Sequence, residues 1–94
     1  MDTDRGSSFD PQVVGKAVTS MVQLICDYPD ETTLHVHQSE SSVIFEISVS
    51  SADYGKVIGK RGQTALALRT LIRAIAGRFN RRLILEFSLT RAHD

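Results

Sequence analysis

The sequence predicts an α+β two-layer sandwich, a three-stranded sheet packed on one face by helices with its other face left polar. Two apolar patterns carry the prediction. Spacings of three and four recur through residues 11 to 27 and again after Gly62, the period of helices with one buried stripe. Alternation recurs at 33–38, 43–50 and 82–89, the period of strands with one buried face. The chain has 94 residues, 41% of them apolar, which suits one core rather than two independently folded units.

Residues 1 to 9 are mostly polar and read as a flexible N-terminal tail, residues 10 to 90 as a single domain, and 91 to 94 as a C-terminal tail. Asp10 is placed to accept the first free amides of a helix, Pro11 fits the first helical position, and Phe9 and Val14 form a hydrophobic staple. Val13, Val14, Ala17, Val18, Met21, Val22, Leu24 and Ile25 give this helix a broad apolar face, and it is expected to end near Asp27, before Tyr28-Pro29-Asp30. Thr33 to Gln38 and Val43 to Ser50 follow as two strands, joined by the polar link Ser39 to Ser42 and therefore antiparallel.

Ser51 to Val57 is expected to form a short helical turn, with Ser51 or Asp53 near its start. A long helix begins after Gly62, with Ala65, Leu68, Ile72, Ile75, Ala76 and Phe79 as its inner stripe and Arg69, Arg73 and Gly77 outside. Asn80 suits a left-handed stop, and Arg82 to Leu89 returns to strand alternation. The order is α-β-β-α-α-β.

The formal charge is zero, but the average conceals a division along the chain. Residues 1 to 54 carry two basic and nine acidic side chains, a net of 2 − 9 = −7. Residues 55 to 94 carry nine basic and two acidic ones, a net of 9 − 2 = +7. A positive half of this kind is the footprint of a protein that meets a polyanion, because phosphate contacts release condensed counterions; the plainer alternative is a pair of solvated helix faces. Cys26 is the only cysteine and cannot form an internal bridge. With no long apolar run and no basic-then-apolar leader, the chain is expected in the cytoplasm, away from membranes.

The segment that joins charge to geometry is Val57-Ile58-Gly59-Lys60-Arg61-Gly62-Gln63, between the two later helices. Glycine permits tight dihedrals and close approach of a ligand to the main chain. Gly62 precedes a long helix whose free amides suit a phosphate, and Lys60 and Arg61 add charge at the same point. Both cations are expected to hold the sugar-phosphate backbone, while bases lie in a groove lined by Val57, Ile58 and residues of the second strand. The segment is too short for a P-loop, no Gly-Lys-Ser/Thr follows it, and no catalytic pair is visible. No enzyme, metal or cofactor is indicated.

Gly55-Lys56-Val57-Ile58-Gly59-Lys60-Arg61-Gly62, followed by Leu68-Arg69-Thr70, resembles the signature of K-homology (KH) domains, and the element order is similar to the type II topology. With Asp27-Tyr28-Pro29-Asp30-Glu31 and Asp53-Tyr54, it resembles more narrowly the small bacterial KhpA family, over about residues 11 to 89. That resemblance implies single-stranded RNA binding without catalysis, through Gly59, Lys60, Arg61, Gly62, Lys56, Val57, Ile58 and Arg69. It also implies an RNA-chaperone or post-transcriptional role, a KhpB (Jag)-like KH partner, homodimers or heterodimers, and a link to cell-wall homeostasis and cell shape. The alternative is a dimerisation or adaptor module on the same fold with little RNA binding of its own.

Other residues read more plainly. His35 and His37 share one strand face, but the sequence shows no cysteine or carboxylate placed to complete a tetrahedral metal site, so they are taken as solvent-facing. Cys26 reads as a small hydrophobe. Arg69, Arg73 and Arg78 either extend a phosphate track or solubilise the long helix, and Arg81 and Arg82 either join it or blunt the end of the sheet. Leu66 and Leu71, at the edges of the inner stripe, either pack inward or, if exposed, form part of a dimer surface.

Overall fold

A computed structural model of the chain describes residues 8–90. It contains α1 (Pro11–Ile25), β1 (Thr33–Gln38), β2 (Ser42–Val49), α2 (Ser51–Ile58), α3 (Gln63–Phe79) and β3 (Arg82–Leu89). Single 3-10 turns lie at Pro29–Glu31 and Lys60–Gly62. This is the expected α-β-β-α-α-β order. Residues 1–7 and 91–94, the greater part of the expected tails, lie outside the described residues.

The sheet order is β1-β2-β3, with β2 antiparallel to β1 and parallel to β3. A parallel pair needs a crossover, and α2 and α3 supply it. Val43, Phe45, Ile47 and Val49 of β2 and Leu83 and Leu85 of β3 are buried against Val18 and Val22 of α1, Val57 of α2 and Ile72 of α3. The helices therefore cover one face, and the outward row of Thr33, His35 and His37 lies across from Ser48, Glu46 and Ile44 on the other.

Asp10 caps α1 as expected, accepting the Gln12 amide at 3.0 Å. Phe9 packs its ring 5.2 Å from that of Phe79. Asn80 stops α3 in the left-handed conformation, φ 56° and ψ 48°, with the Arg81 amide closing back on the Ala76 carbonyl at 3.0 Å.

Four features were not anticipated from the sequence. α1 ends at Ile25 rather than near Asp27, because the amides of Asp27 and Tyr28 are taken by the carboxylate of Asp53, at 2.8 and 2.9 Å. Asp53 lies in the first turn of α2, as expected, and is in addition a fully buried bridge from α2 to the end of α1. Gly15, on α1, sits so close to the sheet that a Cβ there would lie 2.9 Å from Leu34 Cδ2 and 3.1 Å from Phe45 Cδ1. Val13 and Leu24, expected on the apolar face of α1, are exposed, Leu24 by 87%.

Candidate nucleic-acid interface

α2 ends at Ile58 because Gly59 takes φ 84° and ψ 169°, a conformation open essentially to glycine alone. A Cβ at Gly59 would meet Thr64 Oγ1 at 2.3 Å and the Thr64 main-chain nitrogen at 2.8 Å, so this glycine is required by the chain's own packing. Gly62 differs: its φ is 73°, but a Cβ there would meet nothing within 4 Å. Between them Arg61 is held at φ 57° and ψ 25°, left-handed without being glycine. Strain of this kind persists only where the surroundings enforce it, and it gathers at ligand clamps. Here the Gly62 amide donates to the Gly59 carbonyl at 3.0 Å and Gln63 closes on Lys60, fixing one tight turn that opens α3.

Lys60 and Arg61 are exposed on this turn and have no ion-pair partner among the described residues. With Gln63 and Thr64 they line a hollow of about 300 Å³. Lys60, Arg61 and the first turn of a 17-residue helix therefore meet at one open place, where a phosphate would find both charge and amide dipoles.

The other expected site residues are placed differently. Lys56 lies against Asp27, with Asp53 Oδ1 at 3.9 Å. The hydrogen bond to Asp27, with the charges of Asp27 and Asp53, holds its ammonium group above the usual lysine range. Burial by itself would push the Asp53 carboxyl up. The amides of Asp27 and Tyr28, the Ser50 hydroxyl and the Lys56 charge outweigh that and hold it below the usual carboxylate range. Lys56 thus ties α2 to the end of α1, behind the loop.

Val57 is fully buried in the core, so its side chain cannot line a groove in this conformation; Ile58 is half-buried. The second strand cannot line one either. β2 is central, paired on both edges and covered on its inner face, and the open edge beside α3 belongs to β3. There Arg69, Ile72 and Arg73 of α3 and Leu83, Ile84 and Leu85 of β3 border a second hollow, of about 160 Å³. Arg69 donates from Nε to the Leu85 carbonyl at 3.1 Å, and its guanidinium lies 5.5 Å from the centre of the Phe87 ring. Arg78 and Arg81 lie over the rings of Phe79 and Phe9, at 4.7 and 5.1 Å.

On the opposite face, the register brings Glu46 beside the two histidines, a carboxylate that the sequence reading did not place there. His37 Nε2 is 3.2 Å from Glu46 Oε1, and the Ser88 hydroxyl donates to Glu46 Oε2 at 3.1 Å. These hydrogen bonds hold Glu46 below the usual range. No group of three or more His, Cys, Asp or Glu side chains among the described residues could hold a metal ion. No helix among them is long and apolar enough to cross a membrane.

The family model described as KhpA/KhpB, KH domain, matches residues 15–87. The chain belongs to this KH-domain family. The match covers β1, β2, α2, the loop, α3 and β3 as far as Phe87. A relative from Borreliella burgdorferi, named RNA-binding protein KhpA, is 47% identical over 66 residues, covering 70% of this chain and 80% of its own. The proteins of the same name from Clostridium acetobutylicum and Caldanaerobacter subterraneus are 40% and 37% identical, covering 71% and 78% of this chain and 89% and 97% of their own. No solved structure matches the chain. The Gly-x-x-Gly segment of this chain is Gly59–Gly62, between α2 and α3, and β3 is an edge strand of the sheet.

Proposed function

We propose that this KH domain is a non-enzymatic single-stranded RNA-binding protein whose Gly59–Gly62 turn clamps the sugar-phosphate backbone. The observation that carries the reading is the turn itself. Gly59, Arg61 and Gly62 all have positive φ, and the strained turn holds two cations at the start of a helix with no internal partner for either among the described residues. The relatives named as RNA-binding proteins support it. Gly62 fits main-chain contact with a ligand, since the space its missing side chain would fill is open.

Affinity for one domain is expected to be about micromolar and salt-dependent, because the contacts are few and electrostatic. Replacing both Lys60 and Arg61 by Asp removes two phosphate contacts. The slope of log affinity against log salt should then fall by about 1.4, roughly 0.7 per contact on a single strand. Circular dichroism should be unchanged, since both side chains are exposed. An RNA gel shift as strong as that of the wild type would show that the clamp lies elsewhere.

On this reading the protein acts in the cytoplasm as an RNA chaperone or post-transcriptional regulator with a KhpB (Jag)-type KH partner, with effects on cell wall and cell shape. Association is favoured by a specific observation. Leu66 and Leu71, on the outer side of α3, are exposed by 54% and 43%. The second reading, a dimerisation or adaptor module, rests on the same two leucines. Changing both to Glu should abolish any concentration-dependent mass in sedimentation, and RNA affinity retained in that variant would separate the two activities.

A further inference from the structure

A hollow of about 610 Å³ lies on the outer face of the sheet, away from the helices, with His35, His37, Glu46, Ser48 and Ser88 in its lining. Glu46 is fixed there from both sides. Its Oε1 lies 3.2 Å from His37 Nε2, its Oε2 accepts the Ser88 hydroxyl at 3.1 Å, and Ser88 Oγ is in turn 2.8 Å from Ser48 Oγ. Each carboxylate oxygen can accept a second donor, and 35% of the side chain is open to solvent. The two histidine rings beside it are nearly parallel, inclined by 26°, with their centres 6.5 Å apart.

The charge of this place is negative. His37 is the only ion-pair partner of Glu46 among the described residues, and a neutral imidazole leaves the charge of the carboxylate uncompensated. The register sets Glu86 beside Glu46 on the same face, and Glu86 has no ion-pair partner among the described residues. Arg82, on that face too, stands four residues before Glu86, about 13 Å along the strand. A phosphate backbone is repelled here and a cation is drawn in.

Among cationic side chains, lysine carries a compact, strongly hydrated point charge. The arginine guanidinium is planar and less hydrated, lays its face on aromatic rings and presents two parallel N–H donors to a carboxylate. The hollow answers both properties. Glu46 is a positioned carboxylate, and the 6.5 Å between the ring centres is roughly twice the 3.4 Å rise of stacked bases, a spacing that admits one planar group. The hollow is also far larger than a single guanidinium, which leaves space for the main chain that carries it.

We propose that this hollow is a docking site for an arginine presented by a protein segment, its guanidinium held by Glu46 and flanked by the rings of His35 and His37. The site shares no residue with the turn at Lys60–Gly62, so partner docking and RNA clamping are separable.

The probe is the capped peptide Gly-Gly-Arg-Gly-Gly, with counterparts carrying lysine or citrulline, the neutral isostere of arginine. Each is titrated at low salt into the whole chain labelled with nitrogen-15. The arginine peptide should shift the amide resonances of His35, His37 and Glu46 saturably. It should bind about two- to fivefold more tightly than the lysine peptide and at least about tenfold more tightly than the citrulline one. Glu46→Gln still accepts from His37 and Ser88 but should lose at least about tenfold in affinity for the arginine peptide, with RNA affinity unchanged. Alanine at both histidines should cost the arginine peptide more than the lysine one.

No shift at these three amides overturns the proposal, as does equal affinity for the arginine and citrulline peptides or full affinity in Glu46→Gln. A uridine or guanosine oligomer that moves the same amides where the arginine peptide does not would assign the hollow to nucleic acid instead. Loss of RNA affinity in Glu46→Gln would do the same. The margin of arginine over citrulline is read on the wild type, so a variant that fails to fold leaves the test intact.

Discussion

Alanine at Gly59 would put its Cβ 2.3 Å from Thr64 Oγ1 and 2.8 Å from the Thr64 main-chain nitrogen, at φ 84° and ψ 169°. The hydroxyl can rotate away, but the nitrogen belongs to the first turn of α3 and cannot. The dihedral strain costs about 1–3 kcal/mol, and forcing the close contact costs about 1–3 kcal/mol more. A stiffer unfolded chain offsets about 0.4–1 kcal/mol, so the net loss should be near 3 kcal/mol. Alanine at Gly62 meets no atom and bears only a left-handed penalty of about 1–2 kcal/mol, with the same offset, leaving about 1 kcal/mol. For a domain of this size 1 kcal/mol moves the melting temperature by roughly 4–8 °C. Thermal unfolding followed by circular dichroism should therefore drop by roughly 12–24 °C for Gly59→Ala and by less than about 8 °C for Gly62→Ala. Equal losses in the two variants, or a larger one at Gly62, would refute the division into a packing glycine and an open one.

At Gly15 the nearest atom to an added methyl is the end of the Leu34 side chain, which can shift, and alanine gains about 1 kcal/mol of helix propensity. Gly15→Ala should thus leave the urea midpoint almost unchanged, whereas Gly15→Leu, driven into the Phe45 ring, should cost about 2–3 kcal/mol; similar midpoints for both would show that α1 can lift off the sheet. Because the folded state holds the Asp53 carboxyl below its ordinary range, its contribution to stability is complete above about pH 4 and is lost as pH falls through the lower folded value. The melting temperature of Asp53→Asn should be lower than wild type at neutral pH and decline less steeply in acid. An undiminished acid decline would assign that sensitivity to other carboxylates.

The elements themselves were legible because their signals are local. Alternation at Arg82–Leu89, the capping pair Asp10-Pro11 and the left-handed stop at Asn80 each depend on a few neighbouring residues. What escaped depends on partners far along the chain. Asp53 receives amides from 25 and 26 residues earlier, so nothing near it marks it as a buried bridge. Gly15 drew no reading from the sequence because its reason lies in Leu34 and Phe45, on two strands. At the candidate site, the sequence indicated the Gly59–Gly62 turn but not the different demands on its two glycines. It gave the groove to the second strand because only strand pairing reveals β2 as central and β3 as the edge. Arg69 stood out among the helix cations only by its place near the loop and its match to the family pattern, since its hold on Leu85 and Phe87 crosses from one element to another.

The parallel pairing of β2 with β3 has a consequence for synthesis. The turn at Lys60–Gly62 leaves the ribosome well before Arg82, yet one edge of the sheet is made by the last strand of the described chain. Until that strand emerges, Leu83 and Leu85 are missing from the core, and Arg69 has neither its carbonyl nor its ring. A growing chain, or one cut short ahead of Arg82, carries the cations of the turn while Arg69 still lacks both of its anchors on β3.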